Sequence, residues 1–118
     1  MADRKLLEDA AKAAGLNVDI HENWTPGELP YFHLVDERGC LWNPLTDDGD
    51  ALRLAVKRRF HVCIFSATDG DIKVPGFVEV WQEMDTDPIH VEYVEGADYE
   101  AATRRAIVRA AAAIGAAK

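Results

Sequence analysis

The run Leu41-Trp42-Asn43-Pro44-Leu45-Thr46-Asp47-Asp48-Gly49-Asp50-Ala51-Leu52-Arg53-Leu54-Ala55-Val56-Lys57 constrains the fold more than any other stretch of the chain. It cannot be a single element. Asn43-Pro44 ends whatever precedes it, because proline has no N–H and pushes its predecessor toward extended backbone. Thr46 or Asp47 can cap a helix, and Asp47, Asp48 and Asp50 crowd its first turn. There carboxylates meet free backbone N–H groups and the positive end of the helix dipole. Leu52, Ala55 and Val56 supply the buried stripe, and Lys57, Arg58 and Arg59 close the helix with the sign that suits its C-terminus. The run reads as a strand end, a turn and a short amphipathic helix.

The flanks complete an α+β pattern. Leu6, Leu7, Ala10, Ala13 and Ala14 recur at helical spacing over residues 3–14, with Asp3 as cap and Gly15 as stop. Leu16, Val18 and Ile20 alternate with Asn17, Asp19 and His21, the mark of a half-buried strand. Residues 22–30 are a loop, in which Trp24 either lids a pocket or packs the loop down. Tyr31 to Val35 and Cys40 to Trp42 form a hairpin around Asp36-Glu37-Arg38-Gly39. Phe60 to Phe65 is apolar on both sides, which predicts a central strand covered on both faces. Phe77 to Gln82 and Ile89 to Val94 are two more strands, and the short links favour antiparallel pairing.

The last helix is predicted from Tyr99 to Ile114, capped by Asp98 and stopped by Gly115. Thr103, Ile107, Ala110 and Ile114 make one stripe, with Arg105 and Arg109 nearly opposite and Arg104 on a flank. The remaining surface is alanine and Val108. So few charges point to a second packing partner, read here as a subunit interface of a homo-oligomer. The alternative is an alanine-rich surface helix chosen for propensity. The whole chain, 1–118, reads as one domain with a mainly antiparallel sheet.

Composition limits the function classes. The net charge is −8, against a broad nucleic-acid surface. It is uneven: residues 97–118 carry +2 and the rest −10. An acidic protein with a basic last helix can still bind a small anion. No apolar run approaches a membrane span, and the N-terminus does not read as a signal peptide. Cys40 and Cys63 read as reduced thiols, and the predicted location is cytoplasmic.

No catalytic constellation and no metal motif is legible. The Asp47–Asp50 run fails EF-hand spacing, since Ala55 falls where the bidentate Glu belongs. His21, His33, His61 and His90 show no ligand spacing. No P-loop or G-x-G-x-x-G occurs, and Ser66 lacks a nucleophile-elbow frame. The chain therefore reads as a non-enzyme without cofactor. The residues suited to binding are aromatics (Trp24, Tyr31, Phe32, Trp42, Trp81) that can stack on a base, and arginines (Arg58, Arg59, Arg104, Arg105, Arg109) that can grip phosphate.

The run from Trp42 to Lys57 resembles a motif of the small tailed-phage proteins grouped as the phage ABA sandwich family. The C-terminal Ala101-Ala102-Thr103-Arg104-Arg105-Ala106-Ile107-Val108-Arg109-Ala110-Ala111-Ala112-Ala113-Ile114-Gly115 resembles that family's closing motif. The resemblance implies a sheet sandwiched between helix layers, an α/β/α sandwich. The chain is also similar to the first Thoeris anti-defence family. Those phage proteins act as oligomeric sponges for cyclic ADP-ribose isomers and, in some cases, cyclic oligonucleotides. That implies a non-catalytic binder of a small cyclic nucleotide in the host bacterial cytoplasm, assembled through the C-terminal helix. The candidate ligand residues are Tyr31, Trp42, Asn43, Arg104, Arg105 and Arg109. The alternative is a phage structural or protein-interaction protein with no small-molecule ligand.

Overall fold

The computed structural model describes residues 2–23, 31–35, 41–67, 75–82 and 86–117. In chain order they form α1 (Ala2–Ala13), β1 (Asp19–Asn23), β2 (Tyr31–Val35), β3 (Leu41–Trp42) and α2 (Asp48–Arg58). Then follow β4 (Phe60–Phe65), β5 (Phe77–Gln82), β6 (His90–Tyr93) and α3 (Tyr99–Ala116). The fold is α+β. The described strands make two three-stranded sheets, β1-β2-β3 and β4-β5-β6, and each pairing is antiparallel. Trp24, residues 36–40 and the Asp69-Gly70-Asp71 turn lie outside the described residues.

Helix α3 is buried on two sides. Ala102, Ala106 and Ala110, one turn apart, pack on Val78 and Val80 of β5. Ile107, Val108, Ala111 and Ala112 belong to a second core with Leu7, Ala10, Ala11, Ala13 and Ala14 of α1 and with Ala51, Leu54 and Ala55 of α2. The second packing partner that the charge-poor surface of α3 predicts is therefore α1 of the same chain. Among the described layers the order is α1, α3, sheet.

Gly115 is not a stop. The helix runs through it to Ala116, and the residue is needed for a different reason. A Cβ there would collide with the backbone carbonyl of Asp9 on α1. Gly15 does end α1, at φ 67°, with the Leu16 N–H returning to the Ala11 carbonyl at 3.0 Å. Leu16 and Val18 pack against the helical core before the strand starts at Asp19.

Two expectations are corrected. The buried stripe of α2 is Ala51, Leu54 and Ala55, with Asp50 buried beside them, whereas Leu52 and Val56 are 64% and 68% exposed. The helix is rotated so that Ala51, Leu54 and Ala55 meet the core, which leaves Leu52 and Val56 to solvent. Among the described strands β4 is an edge strand, not a central one, since its sheet runs β4-β5-β6. Its apolar residues on the side away from α3 are accounted for by a cross-strand aromatic row. Phe65 stacks on Phe77 with ring centroids 4.5 Å apart, and Phe77 meets Tyr93 at 6.4 Å.

Gly115→Ala tests the helix–helix contact. On propensity alone alanine would stabilise a helix by about 1 kcal/mol. The clash is with backbone, so α1 must move, and overpacking of this kind costs about 1–3 kcal/mol or more. We expect a net loss of stability in a urea titration. A gain would show that α1 and α3 are not held this close.

Candidate functional site

The corner between β3 and α2 is closed by its own polar groups. The Asn43 side-chain oxygen accepts from the Leu45 N–H at 3.0 Å, and the Asn43 carbonyl accepts from the N–H of Thr46 and Asp47. Asp47 is the N-cap, accepting from the Asp50 N–H at 2.8 Å. Asp50 is buried; its carboxylate accepts from the Asn43 N–H at 2.9 Å and from Arg53 Nη2 at 2.7 Å. Arg104 closes the corner from α3, donating Nε to the Leu45 carbonyl at 2.9 Å and Nη1 to Asp48 Oδ1 at 2.6 Å. Each acid of the first turn thus has a structural partner.

A cavity of about 420 Å³ opens between this corner, α3 and β4. Ala51, Leu52, Ile64 and Ile107 give it an apolar lining. Tyr99, Thr103 and Arg104 line it too, with Asp48 and Glu100. Tyr99 is positioned from two sides: its hydroxyl accepts from the Ala67 N–H at 3.0 Å, and its ring crosses Gly76, where a side chain would not fit. The volume is within the usual range for small-molecule sites.

A second polar cluster lies on the sheet side of α3. Glu92, only 8% exposed, accepts from Arg109 Nη1 at 2.7 and 2.8 Å and from Arg105 Nε at 3.4 Å. His90 Nε2 is hydrogen-bonded to its Oε1 at 2.8 Å. Burial alone would raise the Glu92 carboxyl. The hydrogen bonds from His90, Arg109 and Arg105 and the charge of Arg109 outweigh it and hold the group below the ordinary carboxylate value.

The six candidate ligand residues do not share one site. Trp42 is 4% exposed and belongs to the helical core. Asn43 is spent on the corner. The backbone of Tyr31 pairs with Asn23 on β1; its side chain lies outside the described ones. Arg104 faces the cavity, while Arg105 and Arg109 are committed to Glu92. The cavity residues Leu52, Ile64 and Tyr99 were not singled out by sequence reasoning for this role. No motif marks them, since they come together only when α2, β4 and α3 pack. Glu92 was missed for a related reason: only the packing of α3 on β6 brings it to two arginines one helical turn apart.

Among the described residues no helix is long and apolar enough to cross a membrane. Comparison with family models, curated proteins and solved structures finds no match to this chain.

The Glu92 cluster makes a pH prediction. A carboxyl whose value is depressed in the fold contributes stability above its unfolded value, about 4.3. That contribution is lost as pH falls through the folded value. Glu92→Gln should therefore cost about 1.5–3 kcal/mol at neutral pH, the scale of a hydrogen bond to a charged group. Urea midpoints should show the difference shrinking toward pH 3. A difference that persists undiminished there would contradict the assignment.

Proposed function

We propose that this protein is a non-catalytic binder that captures a small anionic nucleotide in the cavity between α2, α3 and β4. The observation that carries the reading is the pairing, in that one cavity, of an apolar lining and a fixed aromatic ring with a guanidinium. The base lies against Tyr99 and the apolar lining. The phosphate meets Arg104, displacing the Asp48 carboxylate, which is 75% exposed and so weakly held. Arg104 keeps its bond to the Leu45 carbonyl, which fixes the guanidinium during the exchange. The carboxylates of Asp48 and Glu100 are suited to accept from ribose hydroxyls. They also disfavour charge spread over the whole ligand, so the ligand keeps its negative charge at one end.

The resemblance to phage sponge proteins supplies the biological side of the proposal. The ligand is a cyclic nucleotide or cyclic ADP-ribose-type immune signal, sequestered in the host cytoplasm. In this reading Arg105 and Arg109 shape α3 through Glu92 and do not touch the ligand. Isothermal titration against cyclic nucleotides and cyclic ADP-ribose isomers tests it. At least one should bind and be recovered unchanged after denaturation. Arg104→Ala should weaken binding by about 1.5–3 kcal/mol, with Arg109→Ala near wild type. Absence of heat with every member of the panel would overturn the proposal. An alternative reading, a protein-interaction module with no small-molecule ligand, is favoured by a separate observation, the apolar surface that Leu52, Val56 and Ile64 expose.

A further inference from the structure

Among the described strands, β4 has a neighbour on one side alone, β5. The direction of its free polar groups follows from β5. The Val80 carbonyl accepts from the Ile89 N–H and the Gly76 carbonyl from the Val94 N–H, so even-numbered residues of β5 point their backbone toward β6. Val62 is opposite Val80 and Ile64 opposite Val78. These are the non-hydrogen-bonded positions of the β4–β5 pair, and the N–H and C=O of Phe60, Val62 and Ile64 therefore point off the open edge. Three successive donor–acceptor sets stand ready on a strand with no proline, lysine or glutamate to protect it.

Beside this edge lies apolar surface that the described residues leave uncovered. Leu52 and Val56, one turn apart on α2, are 64% and 68% exposed, and Ile64 is 56% exposed. Leu52 and Ile64 line the same cavity, so the helix stripe and the strand edge are continuous. The charges flanking the edge are ordered. Lys57 and Arg59 stand at the start of β4, and Asp48 and Glu100 line the cavity with Ile64 near its end. Lys57, Arg59 and Glu100 are exposed, and among the described residues their side chains enter no ion pair.

We infer that the open edge of β4 pairs antiparallel with the β4 edge of a second copy, about a two-fold axis, to give one continuous six-stranded sheet. Antiparallel self-pairing puts identical backbone patterns in complementary register, which is what an isologous interface requires. It brings the basic start of one β4 to the acidic end of the other, twice. It also sets Leu52 and Val56 of α2 toward the same stripe on the second copy. A protein of another kind could use the edge bonds, but this charge order is complementary to itself. The inference stands independently of the proposed ligand.

Outward-facing residues must meet outward-facing residues; an axis at His61 would set Ile64 against Arg58 at the end of α2, so the axis lies at Val62 or at Cys63. In either register the exposed Cys63 lies opposite its counterpart or diagonal to it, within about 7–8 Å. Sedimentation velocity on the full chain from about 1 to about 100 μM should give a species of twice 13.1 kDa. Val56→Lys and Ile64→Lys should each raise the dimer dissociation constant at least about tenfold while circular dichroism melts stay near wild type. Val56 is outside the cavity lining, so its effect is separable from any loss of ligand. In a Cys40→Ser background a short bismaleimide should link Cys63 to Cys63, and Ile64→Lys should abolish the link. A chain monomeric at the highest concentration overturns the inference. So does a dimer that both lysine variants leave intact.

Discussion

The close approach of α3 to α1 is the contact on which the other parts depend. Two helices can come this near only where their facing residues are small, and here Gly115 meets the α1 backbone in a core that is mostly alanine, with Leu7, Ile107 and Val108. Gly115 sits where the Asp9 carbonyl passes, and Ala111 and Ala112 continue the same surface. Because α3 is bound on that side by α1 and on the other by β5, its axis is fixed from both sides. Every polar group it carries is then aimed in a set direction: Arg104 toward the α2 corner, Arg105 and Arg109 toward Glu92. A helix with larger residues on its α1 face would stand further out and lose these aims together.

The carboxylates do different work at the two sides of α3. Asp50 is buried, yet it receives a backbone N–H and a guanidinium, so desolvation is met by charge-assisted hydrogen bonds. Glu92 is treated likewise by two arginines and a histidine. Both are interior ties that hold elements to one another. Asp48 differs. It is exposed, and its one described partner is Arg104, which is also anchored to a carbonyl. An exposed, singly paired carboxylate is the cheapest group at the cavity for an incoming anion to displace. That contrast is why the cavity, and not the Glu92 cluster, carries the functional reading.

Much of this fold is legible in the sequence because its signals are local. The caps Asp47 and Asp98, the stop at Gly15 and the strands over Phe60–Phe65 and Phe77–Gln82 are read from neighbouring residues alone. What is not legible depends on contacts across the chain. Gly115 has the residue type of a helix stop, and only the position of α1 reveals its packing role. The two-sided apolar pattern of β4 does not distinguish a covered central strand from an edge strand with an aromatic row on its outer face. Trp42 and Asn43 are conspicuous in sequence and are consumed by core and corner. Tyr99 is inconspicuous, and it lines the cavity.

Leu52 and Ile64 belong both to the cavity lining and to the exposed surface beside the β4 edge. A ligand in the cavity and a second copy on the edge would therefore act on the same two side chains. If a ligand orders them in the arrangement that pairing needs, association tightens in its presence, and by reciprocity the ligand binds the pair better than the single copy. If it draws them inward, the sign reverses with the same symmetry. Either way the two proposed properties would be coupled, because both would act on Leu52 and Ile64. The rotation of α2 explains the arrangement. With Ala51, Leu54 and Ala55 turned to the core, the apolar Leu52 and Val56 are what α2 has left to present outward.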